Sequence, residues 1–362
     1  MIMTIEDKNI LWLDLFDFLT YSKKVKLLSL LLKDEDIRKV FLTKLEIRQE
    51  LSDQEFNKMA LCLDDMFLSL RLEKYTQDSI IPITINDIRY PYPLKEISSP
   101  PLCLYCKGNI QLLKTLCVGV VGTRKPTDYG IQVTKQYVKA LVDADITVVS
   151  GMAVGVDTLA HKTAIDNNGK TIAVLAGGFN HIYPASNYHL AKTLAENNLL
   201  ITEQNPDTKP QAYLFPVRNR IIAGLSRGVL TTEMGEKSGS LYTVNYAIEF
   251  NRDVFVVPGR INSEMSKGSN ALIKSLQGCI TTSPDDILDL YNRLGTKVEE
   301  KPMIQLDMNS QIVLDYISNE KKTFQEIIDY SGLSARELNG ILISLEMDGL
   351  VIKLANNSYI RA

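Results

Sequence analysis

Seven short runs of β-branched and aliphatic residues between positions 117 and 281, with helical stretches between them, constrain this chain more than any other feature. The runs fall at 117–121, 147–150, 171–175, 199–202, 228–232, 254–257 and 278–281. Spacings of roughly 22 to 30 residues leave room for a helix in each interval, as repeated βαβ units require. Val118-Gly119-Val120-Val121 and Val254-Phe255-Val256-Val257 are almost continuously apolar. Strands buried on both faces of a parallel sheet read this way, whereas a strand with one wet face alternates. Helices at 132–142 and 241–250 are predicted to cover those faces, giving an α/β class.

The flanks read differently. Residues 1–80 carry helical periodicity, as in Ile10-Leu11-x-Leu13-x-Leu15-Phe16, and predict a small helical module. Residues 82–101 hold five prolines, including Tyr90-Pro91-Tyr92-Pro93, and predict an extended connector without helix, so the sheet domain spans 81–295. Residues 296–308 are polar, contain Glu299-Glu300-Lys301-Pro302 and read as a linker. In 309–362, apolar faces such as Leu338-x-x-Ile341-Leu342 predict three short helices. A strand pair turning at Asn356-Asn357 closes the chain, which suggests a winged helix.

With 362 residues and 45% hydrophobic content, the chain has material for one large core plus smaller modules. No run of about 18 uncharged apolar residues occurs, and the start lacks the basic flank of a signal peptide, so no membrane partner and a cytoplasmic location are expected. Five cysteines, at 62, 103, 106, 117 and 279, form no obvious disulfide framework. Cys103 and Cys106 make a C-x-x-C, but only three histidines (161, 181, 189) accompany it. Cysteine as a small hydrophobe in a strand at 102–106 is the plainer reading, and no metal is expected. The net charge of −3 means that any nucleic-acid site is local. From 208 to 232 stand Lys209, Arg218, Arg220 and Arg227 with no acidic residue.

Ligands of doubly wound sheets bind beyond the carboxyl ends of the strands. The loops there are rich in glycine: Gly122-Thr123-Arg124-Lys125, Gly151-Met152-Ala153-Val154-Gly155-Val156-Asp157, Gly177-Gly178, Ser238-Gly239-Ser240 and Pro258-Gly259-Arg260. Such loops let backbone amides approach a phosphate, although a single one serves tight turns as well. No Walker A sequence and no G-x-G-x-x-G after the first strand occurs, which argues against triphosphate hydrolysis and dinucleotide binding, so no cofactor is expected. No G-x-S-x-G supports a nucleophile triad either. Asp157 and His161 stand one helical turn apart, and a structural pairing at the helix start is the favoured reading.

The segment Phe215-Pro216-Val217-Arg218-Asn219-Arg220 offers the two sequence-tolerant elements of single-strand binding, a ring to stack on bases and guanidinium groups for phosphates. Asn219 adds a group suited to a base edge. Core packing of Phe215 and a solvated helix start are the competing account. Two arginines at a helix N-terminus oppose the dipole, however, and make better sense beside an anion.

The ordered series Gly122-Thr123-Arg124, Ser150-Gly151-x-Ala153-x-Gly155-Val156-Asp157-x-x-Ala160-His161, Phe215-Pro216-x-Arg218-Asn219-Arg220-Ile221-Ile222-Ala223-Gly224-Leu225-Ser226, Glu233 with Ser238-Gly239-Ser240-Leu241, and Val257-Pro258-Gly259 resembles the DNA-processing protein A (DprA/Smf) family. The resemblance runs over about residues 82–294. It implies an extended Rossmann-like core between an N-terminal domain like a sterile alpha motif and a C-terminal winged helix. It further implies a non-enzymatic, dimeric protein that binds and protects single-stranded DNA and helps load RecA in natural transformation or recombination. By motif, Arg124 with the Gly122 and Thr123 backbone grips a phosphate, and Phe215 packs on a base or sugar. Arg218, Asn219 and Arg220 line the same pocket, and Ser238, Gly239 and Ser240 offer amides to another phosphate. Where some relatives carry a basic residue shortly before the phenylalanine, this chain has Gln211-Ala212-Tyr213, so that either Lys209 substitutes or the pocket is less positive.

Two rival functions follow from the same residues. Glu233 close to Ser238-Gly239-Ser240 looks like the acid of lysine-decarboxylase-like (LOG) nucleoside-monophosphate phosphoribohydrolases, but in that family the glutamate follows the glycines. A duplex-DNA regulator acting through a recognition helix at 334–348 is poorly served by Arg336 among Glu337, Glu346 and Asp348. For the dimer, Leu272, Ile273 and Leu276 are apolar positions suited to an interface or to the core.

Overall fold

The apolar runs pair as strands of one nine-stranded sheet: β1 (Ile81–Thr84), β2 (Cys103–Gly108), β3 (Cys117–Val121), β4 (Thr147–Ser150), β5 (Thr171–Val174), β6 (Leu199–Thr202), β7 (Gly228–Thr231), β8 (Asp253–Val256) and β9 (Cys279–Ile280). Their order is β1-β2-β6-β5-β4-β3-β7-β8-β9. From β6 to β9 all neighbours are parallel, while β2 runs antiparallel to β6 and β1 antiparallel to β2. The computed structural model describes residues 3–293, 307–317, 321–347, 350–354 and 357–361. They fall into two compact units, Met1–Thr296 and Lys297–Ala362.

Six helices precede the sheet: α1 (Ile5–Asp14), α2 (Tyr21–Ser29), α3 (Ile37–Val40), α4 (Leu45–Glu50), α5 (Asp53–Ala60) and α6 (Asp65–Gln77). Thr4 starts α1 with a capping box closed by Asp7. Helix α1 is buried on two sides. Trp12, Leu13 and Phe16 enter the helical module's own core with Phe41 and Met59. Ile10 and Leu11 join Leu68, Tyr75, Cys103 and Tyr105 against the sheet. The module and the sheet therefore share apolar contacts within the larger unit.

The stretch 82–101 corrects the expectation of a helix-free connector. Pro82 lies in β1, where an edge position tolerates the missing donor. Pro91 and Pro93 open a single helical turn, α7 (Tyr92–Lys95), whose first-turn amides need no intrahelical acceptor.

Helices α8 (Asp128–Asp143), α9 (Val156–Asp166), α10 (Tyr188–Asn197), α11 (Leu214–Leu225), α12 (Ser240–Glu249), α13 (Lys267–Lys274) and α14 (Asp285–Arg293) cover both faces. Val118 and Val120 of β3 meet Val133, Tyr137 and Leu141 of α8 on one side. Cys117 and Val121 meet Ile221, Ile222 and Val244 of α11 and α12 on the other. The two-residue period of a strand also separates the C-x-x-C. Cys103 packs with Tyr105 on one face of β2, and Cys106 packs with Leu104 on the opposite face. Burial raises both thiols above the usual range.

The smaller unit contains α15 (Met308–Tyr316), β10 (Lys322–Thr323), α16 (Phe324–Ser331), α17 (Ala335–Met347), β11 (Val351–Leu354) and β12 (Ser358–Arg361). Its three strands are antiparallel in the order β10-β12-β11. Strand β10 escapes the sequence reading because two residues carry no periodicity. The linker expected at 296–308 lies outside the described residues up to 306, as does Asn356 of the expected turn.

Candidate nucleic-acid interface

Strand β3 has β4 on one side and β7 on the other, so the chain order reverses beside it. Loops diverge at such a switch point and leave a crevice at the carboxyl ends of the strands. A cavity of about 950 Å³ occupies that place. The β3 loop brings Gly122, Thr123, Arg124 and Lys125 to its wall, and the β4 loop brings Ala153 and Asp157. Helix α11 adds Phe215, Arg218 and Asn219, and the turn into α12 adds Lys237, Ser238, Gly239 and Ser240. Motifs dispersed over more than a hundred residues of sequence thus line one space.

Arg124 and Lys125 are exposed at the β3 loop, while Thr123 beneath them is buried. The Thr123 amide donates to the Glu233 carbonyl at 2.8 Å, and its hydroxyl accepts the Lys125 amide at 3.2 Å. This corrects the expectation that the Thr123 backbone grips a phosphate, since the donor already shapes the loop. The Thr123 carbonyl accepts the Val156 amide at 3.1 Å, which ties the β3 loop to the start of α9. Gly155 makes that approach possible. Its φ of +88° suits glycine, and a Cβ there would lie 2.3 Å from the Thr123 oxygen.

Helix α11 sends its two arginines in different directions. Arg218, only 6% exposed, donates through Nε to Asn219 Oδ1 at 3.1 Å and through Nη1 to the Val174 carbonyl. Arg220 corrects the reading of a single basic pocket, for it is absent from the cavity wall and pairs with Glu203 at 2.5 Å. Two residues along a helix are about 200° apart around its axis, so both cannot face one cavity. Asn219 is also committed. Its Oδ1 receives Arg218, and its Nδ2 donates to the Gly239 carbonyl at 3.3 Å, so it joins α11 to the α12 turn instead of presenting a base-reading edge.

Phe215 is half-buried at the cavity and meets Tyr183 edge-on, with centroids 5.5 Å apart. Tyr183 and Tyr242 both line the space and are about half exposed. Sequence reasoning missed both. Tyr183 follows the Gly177-Gly178 loop beyond β5, so the carboxyl-end rule applied to every strand would have included it. Lys209 is exposed and does not line the cavity. In the α12 turn, the Ser238 amide donates to the Gly235 carbonyl and the Ser240 amide to Ser238 Oγ. Among the described residues, Gly239 is the one of these three whose amide has no acceptor, and nothing stands within 4 Å of where its Cβ would be.

Four buried ionisable groups stand in or beside the loops that form the cavity. Asp157 is pushed up to about 6, chiefly by burial, against the opposing charge of Arg218. Burial likewise lowers the Arg218 guanidinium. His161 corrects the expected pairing with Asp157. Its ring nitrogens meet Thr171 Oγ1 at 2.7 Å and the Gly151 carbonyl at 2.6 Å, and burial lowers it to about 4. Glu233 accepts the amide and hydroxyl of Thr127, each at 2.8 Å, and so anchors the start of α8. That carboxylate does not line the cavity, which does not favour the phosphoribohydrolase reading.

Comparison with known proteins identifies the family of the chain. Residues 82–292 match the family model described as DNA recombination-mediator protein A. The chain is 43% identical over 223 residues to DNA processing protein DprA of Bacillus subtilis, covering 61% of this chain and 75% of that one. It is 35% identical over 328 residues to protein Smf of Synechocystis, covering 80% and 82%. The X-ray structure of DNA processing protein A from Streptococcus pneumoniae superposes with a TM-score of 0.68 at 34% identity, over 80% of this chain and 98% of that one. DNA processing protein A from Helicobacter pylori, whose structure is described for its single-stranded DNA binding mode, gives 0.54 at 31% identity, over 59% and 96%. The chain belongs to the DNA recombination-mediator protein A (DprA/Smf) family.

Proposed function

We propose that this protein binds single-stranded DNA in the cavity beyond β3 and β7, and acts by binding rather than by catalysis. The observation that carries the reading is the convergence of Arg124, Lys125, Arg218 and Lys237 with the Tyr183–Phe215 pair in one space. Cationic groups neutralise phosphates regardless of sequence, and every base has a face for an aromatic ring. Gly122 and the Ser238-Gly239-Ser240 turn complete the anion-facing wall. Arg220, paired with Glu203, and Lys209 lie outside that wall. The similar Helicobacter protein, described as binding single-stranded DNA, supports the same assignment.

Within the processing of DNA in transformation and recombination, the finer role that family membership suggests is protection of the strand and assistance in loading RecA by a homodimer. In α13, Leu272 is core, Ile273 is half-buried and Leu276 beyond the helix is exposed, so Leu276 is the residue of the three available to a second copy. The three-helix, three-stranded smaller unit fits the proposed winged helix. The experiment is titration of oligo-dT and of a duplex at two salt concentrations. Preference for oligo-dT with salt-weakened binding is expected, and equal or absent binding would refute the site. Nucleoside monophosphates should yield no free base.

A further inference from the structure

Among the described residues, Asp157 is the one buried acid on the cavity wall, and it stands near Arg218, the one buried cation there. A Cβ on Gly151 would lie 2.5 Å from Asp157 Oδ2, and 2.6 and 2.7 Å from the two terminal nitrogens of Arg218. The missing side chain thus leaves carboxylate and guanidinium facing each other across Gly151, near enough for each to feel the other's charge but without a direct ion pair. The remaining charges around the cavity belong to other elements and are exposed. Arg124 and Lys125 come from the β3 loop, Glu236 and Lys237 from the turn into α12, and Glu264, paired with Lys267 at 2.6 Å, follows β8. His161, on the same helix as Asp157, is occupied by Gly151 and Thr171.

We propose that Asp157 is the internal counter-anion of Arg218, and that a nucleic-acid phosphate entering the cavity takes over that role, so that binding is coupled to proton uptake by the Asp157 carboxylate. The inference rests on the cavity being the single-strand site. The physical reason is like-charge repulsion in a poorly screened space. A phosphate drawn to Arg218 meets the Asp157 carboxylate at short range, and two such anions cannot both keep full charge there. Protonation of one oxygen by solvent removes the repulsion and leaves Arg218 to the phosphate. The carboxyl is already poised for this, because burial has brought it to about 6. Asp157 is a positioning residue in this scheme: it keeps Arg218 compensated when the cavity is empty and withdraws its charge when the ligand arrives.

The test is the affinity for oligo-dT, whose bases do not titrate in the window used, between pH 5.5 and 8 at constant salt. The full-length protein is expected to bind about tenfold more tightly at the acid end, the equivalent of a shift of about one pKa unit on binding. Asp157→Asn should bind at every pH as tightly as the unmodified protein does at pH 5.5. His181→Gln, in the neighbouring small cavity, should keep the unmodified profile. Calorimetry of the unmodified protein at pH 6.5 in two buffers of different ionisation enthalpy should show net proton uptake, a readout that needs no variant to fold. An Asp157→Asn protein with the unmodified pH slope, or calorimetry without proton uptake, overturns the coupling while leaving the site intact. Failure of oligo-dT to bind at any pH overturns the site itself.

Discussion

Replacing Asp157 with asparagine should uncover a pH dependence of stability that the native protein hides. Asp157 in the folded state titrates at about 6 against an ordinary 3.8, and His161 at about 4 against 6.5. The folded state therefore holds the Asp157 proton more tightly than the unfolded chain does, and stability gains as pH falls through 6. It holds the His161 proton less tightly, and stability is lost as pH falls from 6.5 toward 4. Near pH 5 the unfolded chain carries its proton on the histidine and the folded protein carries it on the aspartate, so the two slopes nearly cancel. Linkage gives a loss on the order of 2 kcal/mol through His161 and a gain on the order of 1 kcal/mol through Asp157 between pH 7 and pH 5, opposite in sign and similar in size. Asp157→Asn removes the gain and should lose the whole ~2 kcal/mol over the same interval. His161→Gln should reverse the sign and become more stable toward pH 5, apart from a constant cost for altered hydrogen bonds. Urea denaturation followed by fluorescence of Trp12, the single tryptophan, at pH 5, 6 and 7 measures these slopes. Parallel profiles for the native protein and Asp157→Asn would refute the proton exchange.

Further outcomes follow from the same contacts. Arg124→Ala should weaken oligo-dT binding at every sequence and reduce the slope of log affinity against log salt by about 0.7, whereas Phe215→Ala should cost ~1–3 kcal/mol with the slope unchanged; anisotropy titrations at four salt concentrations separate the two. Asp207 receives Asn180 at 2.6 Å and Lys74 at 3.1 Å in the loop that leads to Phe215, so Asp207→Ala should loosen that loop and lower oligo-dT affinity severalfold with the melting temperature little changed. Glu233→Gln should cost about 1 kcal/mol of stability through the weakened Thr127 contacts and leave oligo-dT affinity as it was; loss of binding in a folded variant would place Glu233 in the site after all. Gly151→Ala drives a methyl against both Asp157 and Arg218 and should destabilise by about 1–3 kcal/mol, which thermal melts will detect.

The sequence by itself determined the layered α/β core, because strand and helix periods are local and apolar runs buried on both faces have few alternative arrangements. Strands β3, β4 and β6 match the expected runs residue for residue, and β5, β7 and β8 differ from theirs by single residues at the ends. The glycine loops at the carboxyl ends were legible for the same reason, since topology dictates where a doubly wound sheet opens. Tertiary structure alone decided which of the chemically similar groups face the opening. Arg218 and Arg220 are indistinguishable by composition, yet one lines the cavity and the other holds Glu203, because only packing sets the rotation of α11 about its axis. Tyr183 meets Phe215 from 32 residues upstream through the placement of the β5 loop. The prolines of 82–101 predict a break in regular structure, but an edge strand and a first helical turn between them accept Pro82, Pro91 and Pro93, and such positions exist only once neighbours are in place. Asp157 and His161 stand one turn apart on a helix, and the burial of each, which no local pattern records, gives them separate contacts and opposite proton preferences.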